Sequence, residues 1–300
     1  MTLVPHTEVD AAYVIREAAS QRQTLTICGN NTRGFHVHAT SGETLSARGL
    51  SGIVDYHPAE MVMTVKAGTP VADVEAALTA NRQMMAFEPM DHRGILSTKG
   101  EPTIGGVFAA NISGPRRFVA GAARDSLLGI RFVNGRGEIL RAGGRVMKNV
   151  TGLDLTKLLA GSHGTLGLIT EVTFRVLPVP QMAQTIVISG LDDETATRAM
   201  AVAMSLPVEV SGAAHLPAAV ASRVVHGVFE EAATVLRLEG LAASLEVRGE
   251  KLAAVMTAFG PVRRLGEEES RALWQEIRDV RPYADDGRRP LWRVSVAPSI

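Results

Sequence analysis

One cysteine, Cys28, stands in the whole 300-residue chain. That excludes an intrachain disulfide framework and an iron–sulfur cluster held by this chain's cysteines alone. Aromatic residues are scarce, at 4%, too few for a surface that stacks nucleic-acid bases. Neither sign of charge is in excess, with 31 Lys plus Arg against 31 Asp plus Glu. Electrostatics therefore gives no argument for nucleic acid or an anionic membrane as partner. No run of 18 apolar residues occurs, and the opening MTLVPHTEVD lacks the charged-then-apolar order of a signal peptide. A cytoplasmic protein is the expectation, with any inner-membrane association peripheral and through partners. What remains, 46% hydrophobic and 21% charged residues, is ordinary globular composition, and the length allows two domains with real cores.

Glycine, by contrast, is placed with purpose. Three glycine-rich elements fall between Glu101 and Ile169: EPTIGGVFAANISGPRR (101–117), RDSLLGIRFVNGRGEIL (124–140) and KLLAGSHGTLGLITEV (157–172). Glycine turns tightly with positive φ and lets a bulky ligand approach the main chain. Strand-length apolar runs lie between these turns. One such loop is a hairpin; three, interleaved with Thr, Ser and Asn, suggest a surface that wraps a long polar cofactor.

Along the chain, Thr7–Ala19 has helical apolar spacing, and Leu25–Cys28 is a short strand entering the loop GNNTRG (29–34). Strands are expected at Ile53–Tyr56 and Met61–Lys66. Thr69-Pro70 reads as N-cap and first residue of a helix continuing to Ala80. Further strands fall at Gly129–Val133, Glu138–Arg141 and Leu168–Val176, with Asn134-Gly135 as a hairpin turn. The segment LPVPQM (177–182) reads as a domain linker. Beyond it the order is strand Thr185–Ser189, helix Glu194–Ser205, strands Glu209–Ala213 and Val235–Glu239, helices Leu241–Ala258 and Glu267–Asp279, and a last strand, Leu291–Val296. The expectation is an α+β fold with domains at 1–178 and 179–300.

TVKAGTPVADVEAAL (64–78), TIGG (103–106) and GSHGTLGLIT (161–170), in that order after the helix–strand–loop opening, resemble the flavoproteins of the vanillyl-alcohol oxidase type, also called the PCMH-type FAD-binding fold. The resemblance covers about residues 8–180. SGPRR (113–117), VMKNVTGLDLTKLLAGS (146–162), Trp274 in LWQEIRD and PLWRVSV (290–296) are most similar to the FAD-binding subunit family of bacterial glycolate oxidase (glycolate dehydrogenase). This implies a two-lobed FAD-binding domain followed by a smaller α+β domain of the cap or substrate type.

The resemblance also implies site residues. Gly29, Asn30, Asn31, Thr32, Arg33 and Gly34 would form one turn around the FAD pyrophosphate. Thr103, Gly105 and Gly106, then Ser113 and Gly114, would form a second wall. Gly161, Gly164 and Gly167 would bring backbone close, and Ile169 would bond the adenine through its main chain. Gly105→Val or Gly106→Val is expected to abolish flavin retention by filling the pyrophosphate space, while Gly190→Val is not. Family members with covalent flavin carry a His or Cys in or before these turns. Here Asn30-Asn31 occupies the loop and His36 falls past it, so noncovalent FAD is expected, with Cys28 a small buried hydrophobe. Leu153 stands where the related motif has Tyr.

Catalytic groups are not identifiable. His36 and His38 alternate on one strand face, but no third ligand accompanies them, so no metal site is expected. His163 reads as solvent-facing. Lys148 and Asn149 could stand near the flavin or in a solvated loop. Arg293 could bind a substrate carboxylate or form a structural ion pair.

By this resemblance the chain is the FAD-binding subunit of a multi-subunit glycolate (2-hydroxy acid) dehydrogenase. It would pass electrons from substrate through flavin to a partner. The implied partners are a larger flavoprotein subunit and an iron–sulfur subunit, and the implied substrate is a small 2-hydroxy acid. Two alternatives stay open: a self-sufficient FAD-dependent D-lactate or 2-hydroxy acid dehydrogenase, and a flavin-free scaffold. Related subunits continue past the LWRVSV stretch, so the end at Ile300 implies an uncovered side of the groove and weak FAD retention.

Overall fold

Thr7 opens the first helix with a reciprocal cap. Its Oγ1 accepts from the Asp10 N–H at 3.1 Å, and its own N–H donates to the Asp10 carboxylate at 3.1 Å. This satisfies donors that the helix itself cannot. The helix, Glu8–Ser20, buries Ala11, Ala12, Ile15 and Ala18, a one-sided apolar stripe. The computed structural model describes residues 1–33, 42–145, 152–224, 229–284 and 290–296. The chain divides into two units, Met1–Val179 and Pro180–Ile300.

The first unit holds two main sheets. The smaller is parallel, in the order Thr2–Leu3, Glu43–Ser46, Leu25–Cys28, which leaves Leu25–Cys28 at an edge. The larger is antiparallel, in the order Ile53–His57, Val62–Lys66, Leu168–Arg175, Leu127–Val133, Ile139–Gly143. The first helix joins them: Ala11, Ala12 and Ile15 share one core with Leu45 of the parallel sheet and with Val133 and Leu168 of the antiparallel one. A second core lies against the larger sheet, where Phe108 packs edge-on to Phe87 at 5.8 Å and tilted to Phe174 at 5.2 Å. Phe108 belongs to the short helix Ile104–Ala109, so the TIGG turn is anchored by a fully buried aromatic. Such anchors contribute about 2–3 kcal/mol each.

Several local expectations need correction. Thr69 is not an N-cap: the helix is Val71–Thr79, Pro70 stands at its cap, and no side chain caps it. Thr69 Oγ1 instead accepts from the Gly52 N–H at 2.9 Å and donates to the Lys66 carbonyl at 2.7 Å, tying two loops together. The 134–138 hairpin places its positive φ at Gly137 (+71°) rather than Gly135. Asn134 sets this, because its Oδ1 accepts from the Arg136 and Glu138 N–H groups. The proline-rich 177–182 stretch is partly ordered by pairing: Leu177–Pro178 lies antiparallel to Gln83–Met84.

The second unit is a four-stranded antiparallel sheet in the order Val210–Leu216, Ala233–Gly240, Met182–Ser189, Val262–Leu265. Helices Asp193–Ser205 and Ala242–Met256 share a core with one of its faces, built on Ile186, Ile188, Leu236 and Leu238. Helix Glu267–Arg278 packs on the other, where Leu273 and Trp274 meet Val187 and Val235. The strand Val262–Leu265 was not foreseen, since two arginines in four residues hide its period. Conversely, 291–296 alternates like a strand but pairs with no described strand, and Trp292 is 82% exposed.

Candidate functional site

The edge strand Leu25–Cys28 runs directly into the first glycine loop. Asn31 there adopts a left-handed φ of +52°, a conformation that Asn tolerates better than most residues. The loop's carbonyls are held by hydroxyls: Ser46 donates to the Gly29 carbonyl and Thr98 to the Thr32 carbonyl. Among the described residues, no acceptor takes the backbone N–H of Asn30, Asn31 or Thr32.

The second wall behaves differently. Ile104 N–H donates to the Thr69 carbonyl at 2.9 Å, Gly105 N–H to the Ala67 carbonyl at 2.8 Å, and Gly106 N–H to Thr103 Oγ1 at 3.4 Å. These three amides are engaged within the protein and are not available to a ligand. A Cβ on Gly105 would lie 2.6 Å from the Ala67 Cβ and 2.8 Å from its carbonyl oxygen. Gly105 lines the groove, but an added side chain would run into Ala67 and not fill the ligand space, so its glycine is required by packing. Gly106 is open by comparison, with only Thr103 Oγ1 at 3.2 Å and an Arg33 nitrogen at 3.5 Å near its missing Cβ.

The third wall is Gly161–Gly167. His163 takes a φ of +51° and donates its N–H to the Ala109 carbonyl at 2.9 Å, and its side chain is exposed. Gly167 has φ +151°, and a Cβ there would stand 2.5 Å from the Val133 carbonyl. The loop therefore packs closely on the end of the antiparallel sheet.

These walls enclose one groove of about 250 Å³. It is lined by 29–33, by Thr103, Gly105 and Gly106, by His163–Thr165, by Gly167–Ile169, and by the strand Leu25–Cys28. A second cavity of about 470 Å³ shares Asn30 and Thr103 with it and adds His6, Arg48, Ser51 and Glu101. Asn30 and Thr103 thus lie where the two meet.

Among the described lining residues, Arg33 is the one Arg or Lys. Its Nη1 donates to the Gly106 carbonyl, bridging the first wall to the second. Burial pushes its pKa down to about 10, partly opposed by Asp91, so it stays charged at neutral pH. Among the described residues, nothing partners its buried Nε. Cys28 also lines the groove. Burial raises its thiol pKa against the opposing effects of Ser46 and Arg48, and its Sγ faces the Gly29 carbonyl at 3.6 Å. It is therefore a neutral, weakly nucleophilic thiol.

Other expected site residues lie elsewhere. Ser113 and Gly114 do not line the groove: Gly114 donates its N–H to the Phe87 carbonyl at 2.8 Å, and Ser113 Oγ accepts from Arg117 at 2.9 Å. Gly161, with φ +90°, donates to the Phe108 carbonyl and does not line it either. Arg293 sits in the second unit on the exposed, irregular 290–296 segment. Gly34, His36, His38, Lys148 and Asn149 fall outside the described residues. Among the described residues, no group of His, Cys, Asp and Glu could hold a metal ion, and no helix is long and apolar enough to cross a membrane. Sequence reasoning missed the contribution of Thr26, Ala109 and Ala110 to the lining, and the inward turn of the Arg33 side chain. Only the placement of Thr26 on the strand leading into the loop signalled any of these.

An FAD binding domain model matches residues 1–143. Over 282 residues the chain is 34% identical to glycolate oxidase subunit GlcE of Escherichia coli, covering 94% of this chain and 71% of that protein. It is 31% identical over 179 residues to D-2-hydroxyglutarate dehydrogenase of Xanthomonas citri pv. viticola, and 30% over 189 residues to glycolate oxidase subunit GlcD of Bacillus subtilis. Those matches cover 59% of this chain in each case, and only 36% and 39% of the relatives. Among solved structures, alkyldihydroxyacetonephosphate synthase superposes with a TM-score of 0.73 at 18% identity, over 95% of this chain and 55% of that one. p-Cresol methylhydroxylase does so with a TM-score of 0.69 at 12% identity, over 94% and 62%. At these identities the likeness is one of fold.

Proposed function

The chain belongs to the FAD-binding oxidoreductase family that includes glycolate oxidase subunit GlcE, and we propose that its groove holds one FAD noncovalently within a multi-subunit glycolate (2-hydroxy acid) dehydrogenase. The observation that carries this reading is the meeting of three sequence-distant loops, 29–33, 103–106 and 163–169, on one groove. The groove fits the group. A loop with unengaged amides, a buried cation with an orphaned Nε and an open Gly106 suit a pyrophosphate. The two cavities that meet at Asn30 and Thr103 suit the two halves of a dinucleotide.

The residues divide the work. Asn30–Thr32 amides would hold phosphate oxygens, Ile169 and Gly167 would bring backbone to the adenine side, and Asn30 and Thr103 would set the waist between the chambers. Burial raises the Cys28 thiol pKa, which disfavours the thiolate that a covalent flavin link through it would need. Bound FAD would supply a two-electron acceptor for the hydrogen on the hydroxyl-bearing carbon of a 2-hydroxy acid. With one cysteine, this chain needs partners to carry electrons further, and a larger flavoprotein subunit and an iron–sulfur subunit are the proposed ones.

The test is to co-express the chain with those subunits and record the visible spectrum before and after adding glycolate. Flavin absorption that copurifies with this chain and bleaches on adding glycolate supports the reading. A complex in which this chain takes up no flavin, even on incubation with excess FAD, overturns it.

A further inference from the structure

We infer that the guanidinium of Arg33 reads the phosphate charge of the ligand, so that this site selects a pyrophosphate-bearing flavin over its phosphate-free form. The inference rests on the FAD groove proposed above and adds the element that decides ligand class within it. A pyrophosphate brings two negative charges out of water, and dipoles or a cation must compensate for the lost solvation. The second wall cannot do so, because the amides of Ile104, Gly105 and Gly106 are engaged by Thr69, Ala67 and Thr103. In the third wall His163 N–H is engaged by Ala109, and Thr165 N–H by Ser162. The helix behind Thr103 spans only Ile104–Ala109, too short for a substantial dipole.

The first loop combines open amides, at Asn30, Asn31 and Thr32, with a charge, Arg33. The side chain is held across the groove by its Nη1 bond to the Gly106 carbonyl, so its position is set before any ligand arrives. Its Nε is buried and, among the described residues, unpartnered, a costly arrangement unless an acceptor comes to it. Its fork suits phosphate oxygens, and a lysine would offer only a point charge. Arg33 is therefore preorganised, charged and short of one acceptor, on the wall whose amides are also open.

The experiment uses the purified full chain and titrates FAD, FMN, riboflavin and ADP by flavin fluorescence and calorimetry, at low and high salt. Variants are Arg33→Gln, which keeps a donor for the Gly106 carbonyl without charge, and Arg33→Lys, which keeps charge without the fork. The expected result is that Arg33→Gln weakens FAD and ADP by about 30-fold or more while riboflavin changes less than about twofold. Arg33→Lys should lose about tenfold for FAD, and the salt dependence of FAD binding should flatten in Arg33→Gln alone. Thermal melts of the ligand-free variants check that both fold. Arg33→Gln binding FAD as well as the wild type, with the same salt dependence, would overturn the inference and leave the FAD reading standing. Equal losses for FAD and riboflavin would also overturn it, since Arg33 would then only shape the groove. A wild-type chain that binds neither FAD nor ADP sinks both readings.

Discussion

A Cβ placed on Gly29 would stand 2.1 Å from Oγ1 of Thr103. The first loop and the N-cap of the Ile104–Ala109 helix therefore meet at a point that admits no side chain. Gly29→Ala should separate them, destabilising the protein by about 1–3 kcal/mol and weakening FAD. Thr103→Ala alone loses a cap bond, about 1 kcal/mol. Because the two changes concern one contact, the double variant should be more stable than the sum of the single losses implies. Thermal denaturation of the four proteins checks this; strict additivity would show that the contact is not shared.

Gly105 and Gly106, adjacent in sequence, should behave oppositely. Gly105→Ala collides with the Ala67 backbone and should lower the melting temperature with or without flavin. Gly106→Ala meets only the ends of side chains, so it should melt near the wild type and lose FAD affinity about tenfold, as a methyl enters the groove beside Arg33. Gly190 is a poor control for either, since its φ of +74° strains any side chain. Melting curves paired with FAD titrations distinguish the outcomes.

The pH response near the first helix is set by two neighbouring carboxylates. Burial raises the pKa of Glu8, but bonds from Arg131, at 3.0 Å to Nε, and from Thr170 outweigh it and leave the group below the ordinary carboxylate range. Glu171 is raised, first by burial and also by Glu8, against Arg131. Glu8 thus contributes stability that is full above its unfolded pKa and lost as pH falls through its lower folded value. Glu171 has the opposite sign: its folded state is favoured below its unfolded pKa, and that advantage fades as pH rises through the raised folded value. At neutral pH, Glu8→Gln should cost about 1 kcal/mol, while Glu171→Gln should be neutral or stabilising. Urea denaturation at pH 7 and in mild acid checks the signs: the Glu8→Gln deficit should shrink in acid.

In the second unit, Trp274 donates its indole N–H to Thr185 Oγ1 at 2.9 Å, and Thr185 in turn meets Ser270 Oγ at 2.6 Å, all of them buried. Thr185→Val keeps the volume and orphans the indole donor, which should cost about 1–3 kcal/mol. The chain has two tryptophans, and Trp292 is exposed. A Trp292→Phe background therefore makes fluorescence a reporter of Trp274, and its unfolding midpoint should shift with Thr185→Val.

Much of the first unit was legible because local chemistry marks it. The helix over Thr7–Ala19, the Leu25–Cys28 strand and the glycine loops announce themselves in composition and spacing. Glycine alone, however, does not say what needs the space. Gly106 opens on the groove, Gly105 makes room for Ala67, and Gly114 packs against the Glu88 carbonyl; the sequence shows one letter for three reasons. Arg33 points into the groove through a bond to Gly106, 73 positions away, a tertiary fact with no local signal. Strand reading failed in both directions for one cause. Val262–Leu265 is charged but has Thr185–Ile188 beside it, whereas 291–296 has the alternation and no described strand to pair with. A strand is a property of a pair, and one sequence segment shows only half of it.

The core that joins Ala11 and Leu45 to Val133 and Leu168 buries both sheets of the first unit together, and the groove lies beside it, with Leu168 in both. Any ligand there touches the parallel side through 29–33 and the antiparallel side through 167–169. Its binding energy is then added to the cohesion between the two halves, and local opening along this seam becomes rarer in proportion to occupancy. Amide hydrogens at the Leu25–Cys28 edge and in Leu168–Arg175 should exchange with solvent together in the empty protein and slow down together when flavin is present. In this sense the cofactor would serve as part of the architecture before it serves any chemistry.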